Sequence, residues 1–139
     1  MENNIASTIS KLKELRIVLP KSQSLPDDHL LNLYEEKLNF KFPKDYRYFL
    51  KEASDSILNG KDALRVTYKE DSPRELIVAA HEAWDMGVPN NWLPICEDNG
   101  DYYCITKSGE IKYWSHDGSS DETWPDLATW IERVWINEE

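Results

Sequence analysis

Glycine, cysteine and basic residues are all scarce in this chain, and each shortage removes a class of function. The five glycines among 139 residues form no GxGxxG, no GxxxxGK[ST] and no Gly-x-Ser-x-Gly. Phosphate cradles and nucleophile elbows therefore have no support, and no cofactor is expected. The two cysteines, Cys96 and Cys104, are too few for a disulfide framework, and buried free thiols are the expectation. No apolar run approaches the ~20 residues a membrane span needs. The N-terminal MENNIASTISKLKELRIV lacks the continuous apolar core of a signal peptide, so the cytoplasm is the expected compartment.

Lysine and arginine number 16 against 26 aspartates and glutamates, a net charge of −10. Such a field repels nucleic acid and polyanionic membranes, and neither is an expected partner. The acid excess has two readings, solubility and steering toward a basic protein partner. Charge alone does not separate them.

What the chain does have is aromatic residues and a patterned centre. Residues 92–116 read WLPICEDNGDYYCITKSGEIKYWSH. Three β-branched or aromatic runs are separated by short polar segments, each carrying a glycine, and Asn99-Gly100 is a strong hairpin signal. The pattern predicts an antiparallel meander with strands near 93–96, 101–105 and 111–115. A two-residue turn at Asn99-Gly100 pairs Cys96 with Tyr103 and places the two thiols on opposite faces of the sheet. A bulged turn reverses that parity.

The flanks read as helices. Ile5, Ile9, Leu12 and Leu19 recur at helical spacing before Pro20, with Leu15 or Arg16 between them. Leu25-Pro26-Asp27-Asp28 places proline and acids where a helix N-terminus favours them, and Leu30, Leu31, Tyr34 and Leu38 follow on one face. Pro43 opens a third helix with Tyr46, Phe49 and Leu50 inward, and Asn59-Gly60 ends the helical region with a turn. Residues 63–68 alternate as a strand. Residues 75–78 are a short strand or a helix lead-in, and Ala79 to Met86 make one or two helical turns ended by Gly87 and Pro89. A last helix runs from Trp124-Pro125 to Trp135 with Leu127, Trp130, Ile131 and Val134 buried. Residues 1–139 read as a single domain, with neither repeat nor linker.

A search for chemistry returns little. His81-Glu82-Ala83-Trp84-Asp85 is half of a zinc-protease HExxH, with Asp85 where the second histidine belongs and no companion ligands. A surface helix histidine is the plainer reading. Cys96 or Cys104 with His116 lacks a third orienting group, and small apolar filling accounts for both thiols. Glu97, Asp98 and Asp101 lack the spacing of a calcium loop. No catalytic, cofactor-binding or metal residue is assigned, and no enzyme is expected. Of the six tryptophans, Trp84, Trp92, Trp130 and Trp135 sit in apolar patterns that read as core. Trp114 and Trp124 flank the acidic loop 117–122 and read either as partner contacts or as core beside a polar loop.

Two segments together carry a resemblance. LPDDHLLNLYEEKLNFKFPKDYRYFL, and WLPICEDNGDYYCI followed by IKYWSHD and a Trp-Pro-led helix, resemble the SMI1/KNR4 family, or SUKH superfamily, over residues 25–135. The chain departs in placing ASDSIL before Asn59-Gly60 and Thr106 where aspartate is frequent. The resemblance implies an α+β fold, helices packed on a mixed, largely antiparallel sheet. It also implies a role without shared catalytic residues. Bacterial members are chiefly cytoplasmic immunity proteins that bind and silence a cognate polymorphic toxin, often a nuclease or deaminase, and fungal members are scaffolds. The expected partner is thus a basic protein toxin domain, with a toxin-independent scaffold or regulatory module as the alternative. Exposed aromatics would also suit a homodimer, although no heptad run predicts one. Glu97, Asp98, Asp101, Trp114, Asp117, Asp121 and Glu122, clustered at one end of the predicted sheet, are the candidate partner-binding residues.

Overall fold

A computed structural model describes residues 5–16, 25–54, 56–59, 61–66, 75–98, 100–115 and 122–138. Three helices lead: α1 (Ile5–Leu15), α2 (Asp28–Leu38) and α3 (Lys44–Ala53). In α1, Ile9 and Leu12 are buried while Leu15 is 49 % exposed. Leu19 and Pro20 lie outside the described residues. Asp27 caps α2, its Oδ1 accepting from Leu30 N at 2.9 Å, and Asn39 ends the helix in the left-handed conformation at φ 51°, the backbone region asparagine tolerates best after glycine. Pro43 takes the N-cap position of α3 rather than its first turn. Arg47 clamps the two helices, reaching Asp28 at 3.0 Å and Glu35 at 3.2 Å. The other Glu35 oxygen accepts from Phe42 N at 2.6 Å and holds the connecting segment.

The helices are followed by a hairpin. β1 (Ile57–Leu58) pairs antiparallel with β2 (Lys61–Asp62), with Leu58 opposite Lys61; Gly60 lies outside the described residues. The expected strand at 63–68 is reduced to two bridges, Ala63 antiparallel to Cys96 and Arg65 parallel to Glu75; Thr67 and Tyr68 lie outside the described residues. Residues 75–78 resolve as a lead-in. Glu75 is the N-cap of α4 (Leu76–Met86), accepting from Ile77 N at 3.0 Å and Val78 N at 2.9 Å.

The meander forms as the hydrophobic pattern predicts: β3 (Trp92–Asp98), β4 (Asp101–Thr106) and β5 (Ile111–Trp114), joined at the edge by β6 (Thr123–Trp124). All four strands pair antiparallel. The edge strand was not expected, because two residues carry no alternation to read. Asp98 pairs with Asp101 and Cys96 with Tyr103, so the turn holds two residues, and Gly100 takes φ 89°, the sign such a hairpin turn demands. A register shift between Pro94 and Cys96 gives β3 an extra residue at Ile95, whose carbonyl accepts from Leu64 N. The final helix starts later than Trp124. Asp126 caps α5 (Leu127–Trp130), which continues as a π-helical segment, Ile131–Ile136.

Partners across an antiparallel ladder share a face. One face, with Leu93, Cys96, Tyr103, Ile105 and Ile111, joins the main core of α1, α3, α5 and the π segment. On the other, Tyr102 and Cys104 pack with Ala83 and Val88, flanked by half-buried Trp84, Trp92 and Trp114. Each fully buried leucine or isoleucine contributes roughly 1.5–3 kcal/mol, so the first face dominates stability. The thiols occupy opposite faces and both are free. Trp130 and Trp135 are core as expected, whereas Trp84 and Trp92 are only half-buried.

Candidate functional site

The ladder divides the sequence candidates by face. Asp98 and Asp101 pair at the β3–β4 tip, on the same side as Tyr103 and its partner Tyr113. Tyr113 N donates to the Glu122 carbonyl at 3.2 Å, which brings Glu122 level with Tyr113 just before β6. Asp98, Asp101 and Glu122 thus come from three chain segments to one edge of an aromatic row. Within that row Tyr103 lies 5.0 Å from Tyr113, 5.8 Å from Trp124 and 5.1 Å from Trp130, centroid to centroid. The Tyr113 hydroxyl donates to Asp101 Oδ2 at 2.6 Å.

The tyrosine hydroxyls register this arrangement. Burial pushes Tyr103 up to about 12, with the negative fields of Asp98, Cys96, Glu122 and Asp101 adding in that order. Burial, then the hydrogen bond to Asp101, raises Tyr113 as well. Both phenols therefore stay neutral donors beside carboxylates. Cys104 is pushed up by burial, the opposite of what an activated nucleophile requires.

Glu97 and Trp114 lie on the other face, each opposite Tyr102. Trp114 packs at 6.0 Å from the Tyr102 ring, and its own ring stands beside Gly87 at the end of α4, 3.7 Å from where a Cβ there would lie. Asp117 and Asp121 lie outside the described residues. Sequence reasoning missed Tyr103 and Tyr113; their period-two register with Asp101 was the signal that could have found them. A surface cleft of about 650 Å³, lined by residues including His29, Leu33, Phe40 and Lys107, contains none of the candidates. Among the described residues no three metal-ligating side chains converge, His81 and Asp85 included. No described helix is long and apolar enough to cross a membrane.

The family model described as SMI1-KNR4 cell-wall, of the SUKH group, matches residues 5–136. The chain belongs to the SMI1-KNR4 family. A crystal structure of a protein from Pseudomonas syringae pv. tomato is similar, with TM-score 0.87 and 32% identity over 95% of this chain and 98% of that one. No protein with a curated description matches. The SMI1-KNR4 match begins in α1, well before the LPDD segment, so the helix ahead of the recognised motifs belongs to the same unit. The SUKH group includes immunity proteins, and the α+β architecture implied by the resemblance is the one found.

Proposed function

We propose that this SMI1-KNR4 domain is a non-enzymatic immunity protein that binds a cognate basic toxin domain, a nuclease or deaminase, and silences it one to one in the cytoplasm. The observation that carries the reading is the convergence of Asp98, Asp101 and Glu122 beside the Tyr103–Tyr113 row on a chain of net charge −10. A toxin that holds nucleic acid needs positive potential around its site. An acidic rim steers toward that potential, and half-buried Tyr113 and Trp124 supply rigid contact area at little entropic cost.

The test is growth rescue. The C-terminal domain of the neighbouring open reading frame is expressed in a sensitive bacterium, with this protein co-expressed. Rescue is expected, and charge reversal of Asp98, Asp101, Asp117, Asp121 and Glu122 should remove it. A toxic neighbour that is not rescued, or rescue indifferent to the reversal, would count against the reading. The second reading, a scaffold or regulatory module, draws on the cell-wall wording of the family description; it predicts a gene standing apart from any toxin.

A further inference from the structure

The face opposite the acidic tyrosine row carries a second surface, to which α4 contributes residues that no sequence motif marked. Val78, Glu82 and Met86 follow one another at four-residue spacing along exposed helix, with Val78 39% and Met86 50% exposed. Met86 Sδ lies 4.0 Å from the Tyr102 hydroxyl. Glu97, exposed on β3, and Trp114 on β5 are the two cross-strand partners of Tyr102. The Trp114 ring also stands 3.7 Å from where a Cβ on Gly87 would lie, so helix end and sheet adjoin.

Glu97 stands opposite Tyr102 in the ladder, and Glu82 lies one turn before Met86 on α4, so carboxylates from two elements flank one phenol. Burial, then the fields of Glu97 and Glu82, raises that phenol and keeps it neutral. Among the described residues neither carboxylate has an ion-pair partner. Lys112, the cation nearest in register on this face, lies over the Trp92 ring at 5.8 Å instead.

We propose that Glu82 and Met86 of α4, with Glu97, Tyr102 and Trp114 of the sheet, form a docking surface for a basic segment of a protein partner. Such a segment sets a lysine or arginine between the two carboxylates, within reach of the Trp114 face, and an aliphatic neighbour against Met86, whose flexible thioether adapts to varied apolar shapes. Charge complementarity selects this occupant over a second copy, since a net charge of −10 repels its own kind. The inference rests on the protein-binding reading above and adds a second surface to it, one that engages the same partner alongside the Asp98–Asp101–Glu122 edge.

The first experiment needs no toxin. The full chain, labelled with ¹⁵N, is titrated with a short peptide alternating lysine and arginine with leucine, and with its glutamate and aspartate counterpart. Saturable shifts confined to Glu82, Met86, Glu97, Tyr102 and the Trp114 indole are expected, for the basic peptide alone. E82K/E97K should weaken binding about tenfold, since both carboxylates that would face the incoming cation are reversed. Both positions are exposed, so an unchanged melting temperature verifies folding. Shifts spread over all acidic surface, or a concentration-dependent dimer through this face, would overturn the proposal. Growth rescue separates the two readings. Rescue that survives E82K/E97K unweakened overturns this surface and leaves the immunity reading standing. If the wild type rescues no neighbour, the immunity reading falls, and localised or dispersed peptide shifts still decide this surface.

Discussion

The Tyr34 hydroxyl donates to Glu75 Oε1 at 2.5 Å, joining α2 to the N-cap of α4 inside the protein. Glu75 is wholly buried, and its two oxygens also take the Ile77 and Val78 amides. A buried carboxylate is tolerable only with such a set of donors. Tyr34→Phe should therefore cost about 1.5–3 kcal/mol, and Glu75→Ala, which also removes the helix cap, still more. Urea unfolding with an unchanged m-value measures both. A cost under roughly 0.5 kcal/mol for Tyr34→Phe would mean that water substitutes for the phenol.

Alkaline pH should act through the tyrosine row. A phenol in the unfolded chain ionises near 10, whereas folding holds Tyr103 up to about 12. The folded state binds its proton more tightly, so the associated stability is intact below about pH 10. It is lost as pH rises toward 12. Absorbance at the phenolate band should rise together with loss of tertiary signal across that window. Ionisation completed before any unfolding would contradict the arrangement.

The Tyr113–Asp101 hydrogen bond gives a sharper version of the same experiment. Tyr113→Phe should cost about 0.5–1.5 kcal/mol, and Asp101→Asn should bring the Tyr113 titration down toward its ordinary value. Tyrosine ring NMR shifts followed against pH resolve the two phenols. An unmoved Tyr113 midpoint in the asparagine variant would assign its shift to burial alone.

Cys96 and Cys104 are 1% and 0% exposed. Neither should react with Ellman's reagent in the native protein, and both should react on unfolding. A fast stoichiometric reaction of native protein would reopen the thiol chemistry that burial argues against.

The hairpin tip and the C-terminal helix hold each other. Asn59 Nδ2 donates to the Trp135 carbonyl at 2.8 Å, and Trp135 Nε1 donates to the Leu58 carbonyl at 3.0 Å. Asn59 sits at φ 53°, so Asn59→Ala should lose about 1–2 kcal/mol through both the bond and the backbone, and Asn59→Gly less. Melting temperatures of the pair separate the two contributions.

The central strands and the burial of Tyr34, Tyr46 and Phe49 were readable because alternation and helical spacing are local properties of neighbouring residues. The β1–β2 hairpin was signalled by Asn59-Gly60 and passed over, since its strands are too short to show a period. The edge strand β6 exists only by pairing with β5, a long-range relationship that its own two residues do not announce. The candidate residues were grouped by the end of the sheet they occupy. Register separates them: Asp98 and Asp101 face the main core side, Glu97 and Trp114 the α4 side. The parity argument that tied the faces of the cysteines to turn length, applied to the neighbours Glu97 and Asp98, would have drawn this line. The Glu82 and Met86 contribution was unreadable, because it depends on how the α4 end meets the sheet.

The π-helical segment at the C-terminus carries one residue of slack. Trp130 and Trp135 are five apart, a spacing that throws side chains to different sides of an α-helix, yet their rings lie 5.8 Å from one another in the core. Bonding across five residues is what returns both indoles to the same side. Shortening the stretch between them by one residue converts the spacing to four, which an ordinary α-helix serves equally well. This terminus is therefore a place where the chain length of relatives can differ by one while the two indoles keep their seats.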